Sequence, residues 1–277
     1  MRRQPPLQRG CLRFGALLIL FWSAAPFVWQ FSTSFQLDRA LTAEVPTLIP
    51  DPFTLEHYWN AFVGKELHRY VWNSFVVSLL TTLSCLVVGS LAAFALSRFD
   101  VKGRFGILVV ILSVSMFPQI AIVGPLYLVA ADLGLLDTYA GLVIVYLALG
   151  LPLVTWVLFG YFETIPREID EAARMDGVGV LGLLWRIILP MSLPSLVTTG
   201  LLAFITAWNE FLFALAFTST IEHQTIPVGI ANFTNQYYVP WGDIAAASAV
   251  VTVPLILLVL FFQRHIIEGL TQGGVKE

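Results

Sequence analysis

Few side chains in this sequence are placed to do chemistry. The four histidines, His57, His68, His223 and His265, are scattered and lack the spacing that a metal ion needs. His57 and His68 read as solvated loop residues. No Gly-x-x-x-x-Gly-Lys-Ser/Thr segment occurs, so no backbone cradle for nucleotide phosphates is encoded. The two cysteines, Cys11 and Cys85, fall at or within apolar stretches, and neither a disulfide nor a metal framework is suggested. No convergent catalytic set emerges, and the chain is not expected to be an enzyme. What remains is a set of polar residues in an apolar sequence. One group, Trp208-Asn209-Glu210-Phe211, sits inside an apolar run. A glutamate at membrane depth is costly, so it must face the bundle interior, a partner or a wet cavity. Two readings fit Glu210: a structural hydrogen bond between helices, or a place on a translocation path. Gln119 and Tyr127, beside Pro118 and Pro125, mark a second polar interruption, where proline frees backbone groups and allows a kink.

One of the few polar islands is residues 171–190, EAARMDGVGVLGLLWRIILP. Pro166 suits a first helical position, because its missing N–H would be unpaired there. Glu168, Asp170 and Glu171 follow, and acids in a first turn favour the positive end of the helix dipole. Arg174 and Asp176 lie toward the far end, and Gly177 is placed to close the helix in the left-handed region. Ile169, Ala172 and Ala173 share a face of little bulk, which would let another protein approach. The following stretch, 178–189, is apolar except for Arg186 and too short for a span of roughly 20 residues. Pro190 is expected to stop it. The pattern is that of an arm lying along a membrane face.

The elements that must position these groups follow from composition. Of 277 residues, 57% are hydrophobic and 12% charged, and mean hydropathy is +0.80. Soluble domains carry about 25% charged residues, so this is a single helical membrane domain over 1–277. Six apolar runs, near 12–31, 71–96, 105–123, 139–162, 195–217 and 244–262, are each long enough to cross a hydrocarbon core of about 30 Å. The first follows Arg2, Arg3, Arg9 and Arg13 and resembles a secretory signal with Ser23-Ala24-Ala25 as its cleavage site. It continues past that site through Trp29, which favours an uncleaved span. With the N-terminus inside, 12 of the 15 basic residues lie inside; only Arg39, Lys65 and Arg69 lie outside. The positive-inside rule accepts this orientation, with both termini and loop 163–190 cytoplasmic, and loops 32–70 and 219–242 external. The last external loop carries Asn232, Asn235, Tyr237, Tyr238 and Trp241. Amides and aromatics suit sugar recognition, but on composition alone an ordinary interfacial aromatic belt accounts for them more simply.

The island also carries a resemblance. Glu171-Ala172-Ala173, then Gly177, Ile187 and Leu189-Pro190, fill every fixed position of the EAA signature of ABC-importer permeases. Asn73-Ser74, Arg98-Phe99 with Gly103-Arg104, Met116-Phe117-Pro118 with Pro125-Leu126-Tyr127, and Gly269-Leu270-Thr271 before Gly273-Gly274-Val275-Lys276 resemble the carbohydrate branch of that family. The likeness covers essentially the whole chain and is greatest to the second, six-span permease subunit of maltose- and trehalose-type importers. Glu277 departs from the small residue expected there.

The resemblance implies a type I ABC importer permease fold, all-α with six transmembrane helices, in a bacterial inner membrane. It implies that Glu171, Ala172, Ala173, Arg174, Asp176, Gly177, Ile187, Leu189 and Pro190 form a coupling helix docked on a cytoplasmic ATPase dimer. The tail 263–277, through Thr271, Gln272, Gly273 and Gly274, would reach into that dimer, where ATP-Mg is bound. This chain would bind no cofactor of its own. A second permease subunit would complete the path, lined here by Gln119, Tyr127, Trp208, Asn209, Glu210 and Phe211, and an extracytoplasmic sugar-binding protein would meet the last external loop. The lipid bilayer is a partner and nucleic acid is not. The expected cargo is a sugar such as maltose, trehalose, glucosylglycerol or a longer glucoside. A stand-alone ion-coupled transporter is the competing reading; it calls for mid-span ionisable residues and internal repeats, and Glu210 alone supplies little of that.

Overall fold

The computed structural model describes residues 6–272 apart from 44 and 46, with side chains described within 12–264. All regular structure among the described residues is helical. That is the form in which a chain in lipid satisfies its own backbone. In chain order the principal helices are α1 (Pro6–Thr33), α2 (Leu67–Arg98), α3 (Arg104–Ser115), α4 (Gln119–Asp132), α5 (Tyr139–Thr164), α6 (Arg167–Met175), α7 (Val180–Met191), α8 (Leu193–Trp208), α9 (Leu212–Phe217), α10 (Ile226–Ala231) and α11 (Trp241–Gln272). Among the described residues, four stretches are long and apolar enough to cross a membrane: Leu12–Thr33, Leu67–Arg98, Tyr139–Thr164 and Trp241–Arg264. Counting two bent helix pairs brings the number of spans to as many as six.

Two of the apolar runs are not the continuous helices expected. The run at 105–123 breaks between α3 and α4, whose axes meet at 88°. Pro118 is the cause. It has no N–H to continue the ladder and disfavours helical geometry at the residue before it, and it sits in extended geometry at φ −61°, ψ 120°. The run at 195–217 breaks at residues 209–211, between α8 and α9. Pro190, expected to end its helix, does not. Leu184–Ile188 widens into a π turn that puts the Leu189 N–H on the Leu184 carbonyl, and α7 runs on to Met191. The wider turn eases the clash between a proline ring and the carbonyl four residues back. The chain then turns at Ser192, and α7 meets α8 at 83°.

The chain divides into two compact units. The first combines Met1–Leu67 with Ile230–Val253, and the second His68–Gly229 with Pro254–Glu277. In the first, Phe35 stacks on Phe53 with centroids 4.8 Å apart and lies 5.2 Å from the Tyr58 ring. The Gln36 side-chain amide donates to the Thr47 carbonyl at 2.7 Å. In the second, lipid supplies no hydrophobic drive between helices, so close approach has to come from small residues. Glycines provide it. A Cβ on Gly89 would stand 2.6 Å from the Val154 side chain, one on Gly150 3.1 Å from Cys85 Sγ, and one on Gly200 3.1 Å from Leu86. These contacts draw α5 and α8 onto α2. Around them form two apolar clusters, one including Phe94, Leu158, Phe162, Leu184 and Ile188, the other Val77, Leu142, Phe213 and Phe217.

Candidate functional site

The arm is built by α6 and α7. Pro166 sits in extended geometry just ahead of α6 instead of inside it, and Glu168 and Asp170 occupy the first turn. The C-terminus closes as the sequence demands. Gly177 takes φ +78°. Its N–H reaches the Arg174 carbonyl at 3.0 Å, and the Val178 N–H reaches the Ala173 carbonyl at 2.9 Å. These two bonds are the Schellman pair, and they satisfy carbonyls that a bare helix end would leave open.

The faces of α6 differ from the expectation. Ala173 is buried against this chain, with Ile169 packed beside it, in the cluster that holds Phe94, Leu183 and Leu184. Glu171, Ala172, Arg174, Asp176 and Gly177 are exposed. So is Met175, at 89%. The small face at Ile169 and Ala173 is therefore turned inward, and the free face is Glu168, Glu171, Ala172 and Met175. Asp170, read from sequence as a dipole acid, is buried on the inner face. Its Oδ2 lies 3.1 Å from Arg98 Nε at the end of α2. Arg98 Nη2 also donates to the Ile165 carbonyl at 3.1 Å, and Arg167 Nη2 donates to the Ser97 carbonyl at 3.0 Å. The arm is thus clamped to α2. The available signal was the period of 3.6, which puts Asp170 on the same face as Ile169 and Ala173.

Beyond the bend, Ile187 and Leu189 are half-buried and Pro190 is exposed. Leu189 lines an apolar groove of about 480 Å³ with Trp185 and Leu193, against Leu86 of α2, Phe204 of α8 and Leu258 of α11. It faces the membrane helices, not the free side of α6. Of the tail positions, Thr271 and Gln272 end α11, and Gly273 and Gly274 lie outside the described residues.

The break at 209–211 is held by its own side chains. The Glu210 carboxylate accepts from the Phe213 N–H at 2.8 Å and from the Ala214 N–H at 3.1 Å. It caps α9, whose first N–H groups have no helical partner. Asn209 Nδ2 donates back to the Ile205 carbonyl at 2.8 Å. Glu210 also lines a pocket of about 100 Å³ with Gln119, Thr81, Ser115, Tyr146 and Thr206. Two of the six path candidates, Gln119 and Glu210, are therefore brought together. Trp208 is buried and stacks on Phe204 at 5.5 Å; Tyr127 packs edge-on against Phe217 at 6.4 Å; Asn209 and Phe211 are exposed away from this pocket. Tyr146, Thr81 and Thr206 were not foreseen; single hydroxyls in apolar runs carry little signal.

In the loop before α11, Asn235 Oδ1 accepts from the Tyr237 and Tyr238 N–H groups at 2.9 and 2.8 Å, an Asx-type turn. Tyr238 donates its hydroxyl to Asp38 Oδ2 at 2.8 Å, which raises the phenol above its usual range. Tyr237 is 92% exposed, and Asn232 and Trp241 are exposed as well. His57, read as a solvated loop residue, is instead 4% exposed and contacts Asp243. Sequence gave no hint of this, because the partner lies 186 positions away.

Comparison with known proteins fits this architecture. Residues 85–272 match the family described as binding-protein-dependent transport system inner membrane component. The chain is similar to the trehalose/maltose transport system permease protein MalG of Thermococcus litoralis, at 42% identity over 99% of each chain. It is 39% identical to the sulfoquinovosyl glycerol transport system permease protein SmoH of Agrobacterium fabrum, over 96% of this chain and 93% of that one. Its fold matches a chain of a bacterial ABC transporter involved in import of the acidic polysaccharide alginate, with a TM-score of 0.79 over 95% of this chain and 99% of that one, at 24% identity. With the family match over most of its length and relatives aligned from end to end, this chain belongs to the inner membrane components of binding-protein-dependent transport systems.

Proposed function

We propose that this chain is a permease subunit of an ATP-driven, binding-protein-dependent sugar importer, carrying a di- or oligosaccharide or a glucoside. The relatives named for trehalose, maltose and sulfoquinovosyl glycerol support the cargo class. The observation that carries the mechanism is the arm. Its inner face is clamped to α2 through Arg98 and Asp170, while Glu171, Ala172 and Met175 stand free on the other. A helix exposed on one side and locked on the other suits the transfer of motion. A cytoplasmic ATPase dimer, which holds ATP-Mg, docks on the free face, and Thr271 to Gly274 reach toward it. Closure of that dimer moves α6, and the Arg98–Asp170 clamp passes the movement to α2.

In this reading both termini and the arm are cytoplasmic. A second permease subunit supplies the other wall of the path, and Gln119 and Glu210 mark this chain's share. The loop with Tyr237 and Trp241 meets the loaded binding protein. The test is uptake into proteoliposomes. The chain alone is expected to neither hydrolyse ATP nor move sugar. Joined to a second permease subunit and two ATPase subunits, it is expected to show ATPase activity stimulated by sugar-loaded binding protein, and uptake that survives collapse of the proton gradient. Sugar uptake by the lone chain on an ion gradient overturns the proposal.

A further inference from the structure

His57 occupies a seat that only a charged imidazole fits. It stands on the short helix Glu56–Trp59 and is 4% exposed. Its Nδ1 lies 2.8 Å from Asp243 Oδ1, and its Nε2 lies 2.8 Å from the Gln36 carbonyl oxygen. A carboxylate and a carbonyl only accept hydrogen bonds, and a neutral imidazole carries one N–H. Both contacts are hydrogen bonds only when both nitrogens are protonated. The ring packs on Gly242, where any Cβ would collide with it.

The surrounding charges suit an imidazolium. Asp243 Oδ2 takes Lys65 Nζ at 3.3 Å, and Asp38 Oδ1 lies 3.8 Å from His57 Nε2. With His57 charged, these four side chains carry two positive and two negative charges. With His57 neutral, one negative charge is left over, shared between the buried Asp243 and Asp38, whose side chain is 57% exposed. Among the described residues, Tyr238, whose hydroxyl is on Asp38, is a further titratable group facing the cluster; Gln36 and Gly242 bring no charge.

The same residues hold the loop before α11 at three points. Lys65 lies over the Phe233 ring at 4.5 Å and donates to the Phe233 carbonyl at 3.5 Å. Asp38 holds Tyr238, and Asp243 opens α11. Asp38 and Asp243 both face His57, and Lys65 joins them through Asp243.

We propose that His57 is a positioning residue that, donating from both ring nitrogens, fastens the loop bearing Tyr237 and Trp241, and that loss of these two hydrogen bonds slackens the loop and weakens engagement of the sugar-binding protein. The second half rests on the importer reading above.

Two measurements on the complete importer in lipid separate the halves. The first is the mobility of a spin label on Tyr237→Cys, with Cys11 and Cys85 replaced. Mobility is expected to rise in His57→Leu, which donates to neither acceptor, and to rise less in His57→Gln, whose single amide nitrogen reaches one of them. Equal mobility in the parent and in His57→Leu overturns the role of His57. The second is the binding-protein concentration that half-stimulates the ATPase. It is expected to rise about two- to tenfold in His57→Leu, the range that one lost hydrogen bond gives, with the maximal rate unchanged. A slackened loop with a level half-stimulating concentration keeps the role of His57 and rejects the loop as the binding-protein contact.

Discussion

Arg98 Nε stands 3.1 Å from Asp170 Oδ2, with the two side chains 3% and 9% exposed. One residue ends a membrane-length helix and the other begins the arm. A buried pair is costly to break from one side, because the remaining charge has no partner, and cheap to replace whole. Asp170→Ala is therefore expected to destabilise the protein by about 3–5 kcal/mol, seen as a lower thermal midpoint in detergent. Arg98→Met with Asp170→Leu is expected to recover most of that stability. Recovery of stability without recovery of binding-protein-stimulated ATPase would assign the pair to coupling; recovery of both would leave it a packing device.

The two faces of α6 make opposite predictions. Single cysteines at Ala172 and Met175, in a background without Cys11 and Cys85, are expected to crosslink to an ATPase subunit, and one at Ala173 is not. Efficient crosslinking from Ala173→Cys but not Met175→Cys would reverse the proposed docking face.

The bend at Gly177 carries its own test. Left-handed geometry costs a side chain roughly 1–2 kcal/mol, and a branched one is a true outlier there. Gly177→Val is expected to uncouple ATPase activity from uptake, whereas Gly177→Asn is expected to retain coupling, since asparagine tolerates that region. Full uptake in Gly177→Val would remove the mechanical role given to the bend.

Glu210 accepts two N–H groups at the start of α9. Loss of such a cap costs about 0.5–2 kcal/mol in water, and more where no water replaces it. Glu210→Gln keeps one acceptor oxygen and is expected to retain most uptake, while Glu210→Leu is expected to lose uptake or assembly. Equal uptake in both variants would show that neither the cap nor the pocket wall matters.

Asp137 offers a pH test away from the arm. Partial burial pushes its carboxyl up, but the Thr220 hydroxyl at 2.7 Å, the Ser219 and Thr220 N–H groups and nearby His223 outweigh this, and the group lies below its ordinary value. A depressed carboxylate adds stability above its unfolded-state value and loses it as pH falls through the folded one. Asp137 holds φ +53°, which asparagine also tolerates, so Asp137→Asn isolates the charge. The variant is expected to have a lower thermal midpoint than the parent at neutral pH, with the gap closing as the medium is acidified below about pH 4. A gap independent of pH would contradict this.

Much of the fold was legible in the residues alone. Hydropathy and length mark each membrane-length helix, because lipid leaves a bare backbone no other partner. The Gly177 bend and the break at Pro118 are also local, since positive φ and a missing N–H are properties of single residues. The side on which a partner lies is not local. The 3.6-residue period groups Ile169, Asp170 and Ala173 on one face of α6, yet whether that face meets the protein or solvent depended on where α2 ended. The ionic contacts were further from view. His57 and Asp243 are 186 positions apart, and neither neighbourhood hints at the other. Glu210 was open to a structural or a lining role, and only the break in the helix put two unpaired N–H groups in front of it while leaving it on a pocket wall. Periodicity and composition report how a segment meets its solvent. Which charge neutralises which is decided only when the chain closes on itself, because a charge withdrawn from water must find its counter-charge in space and not in sequence.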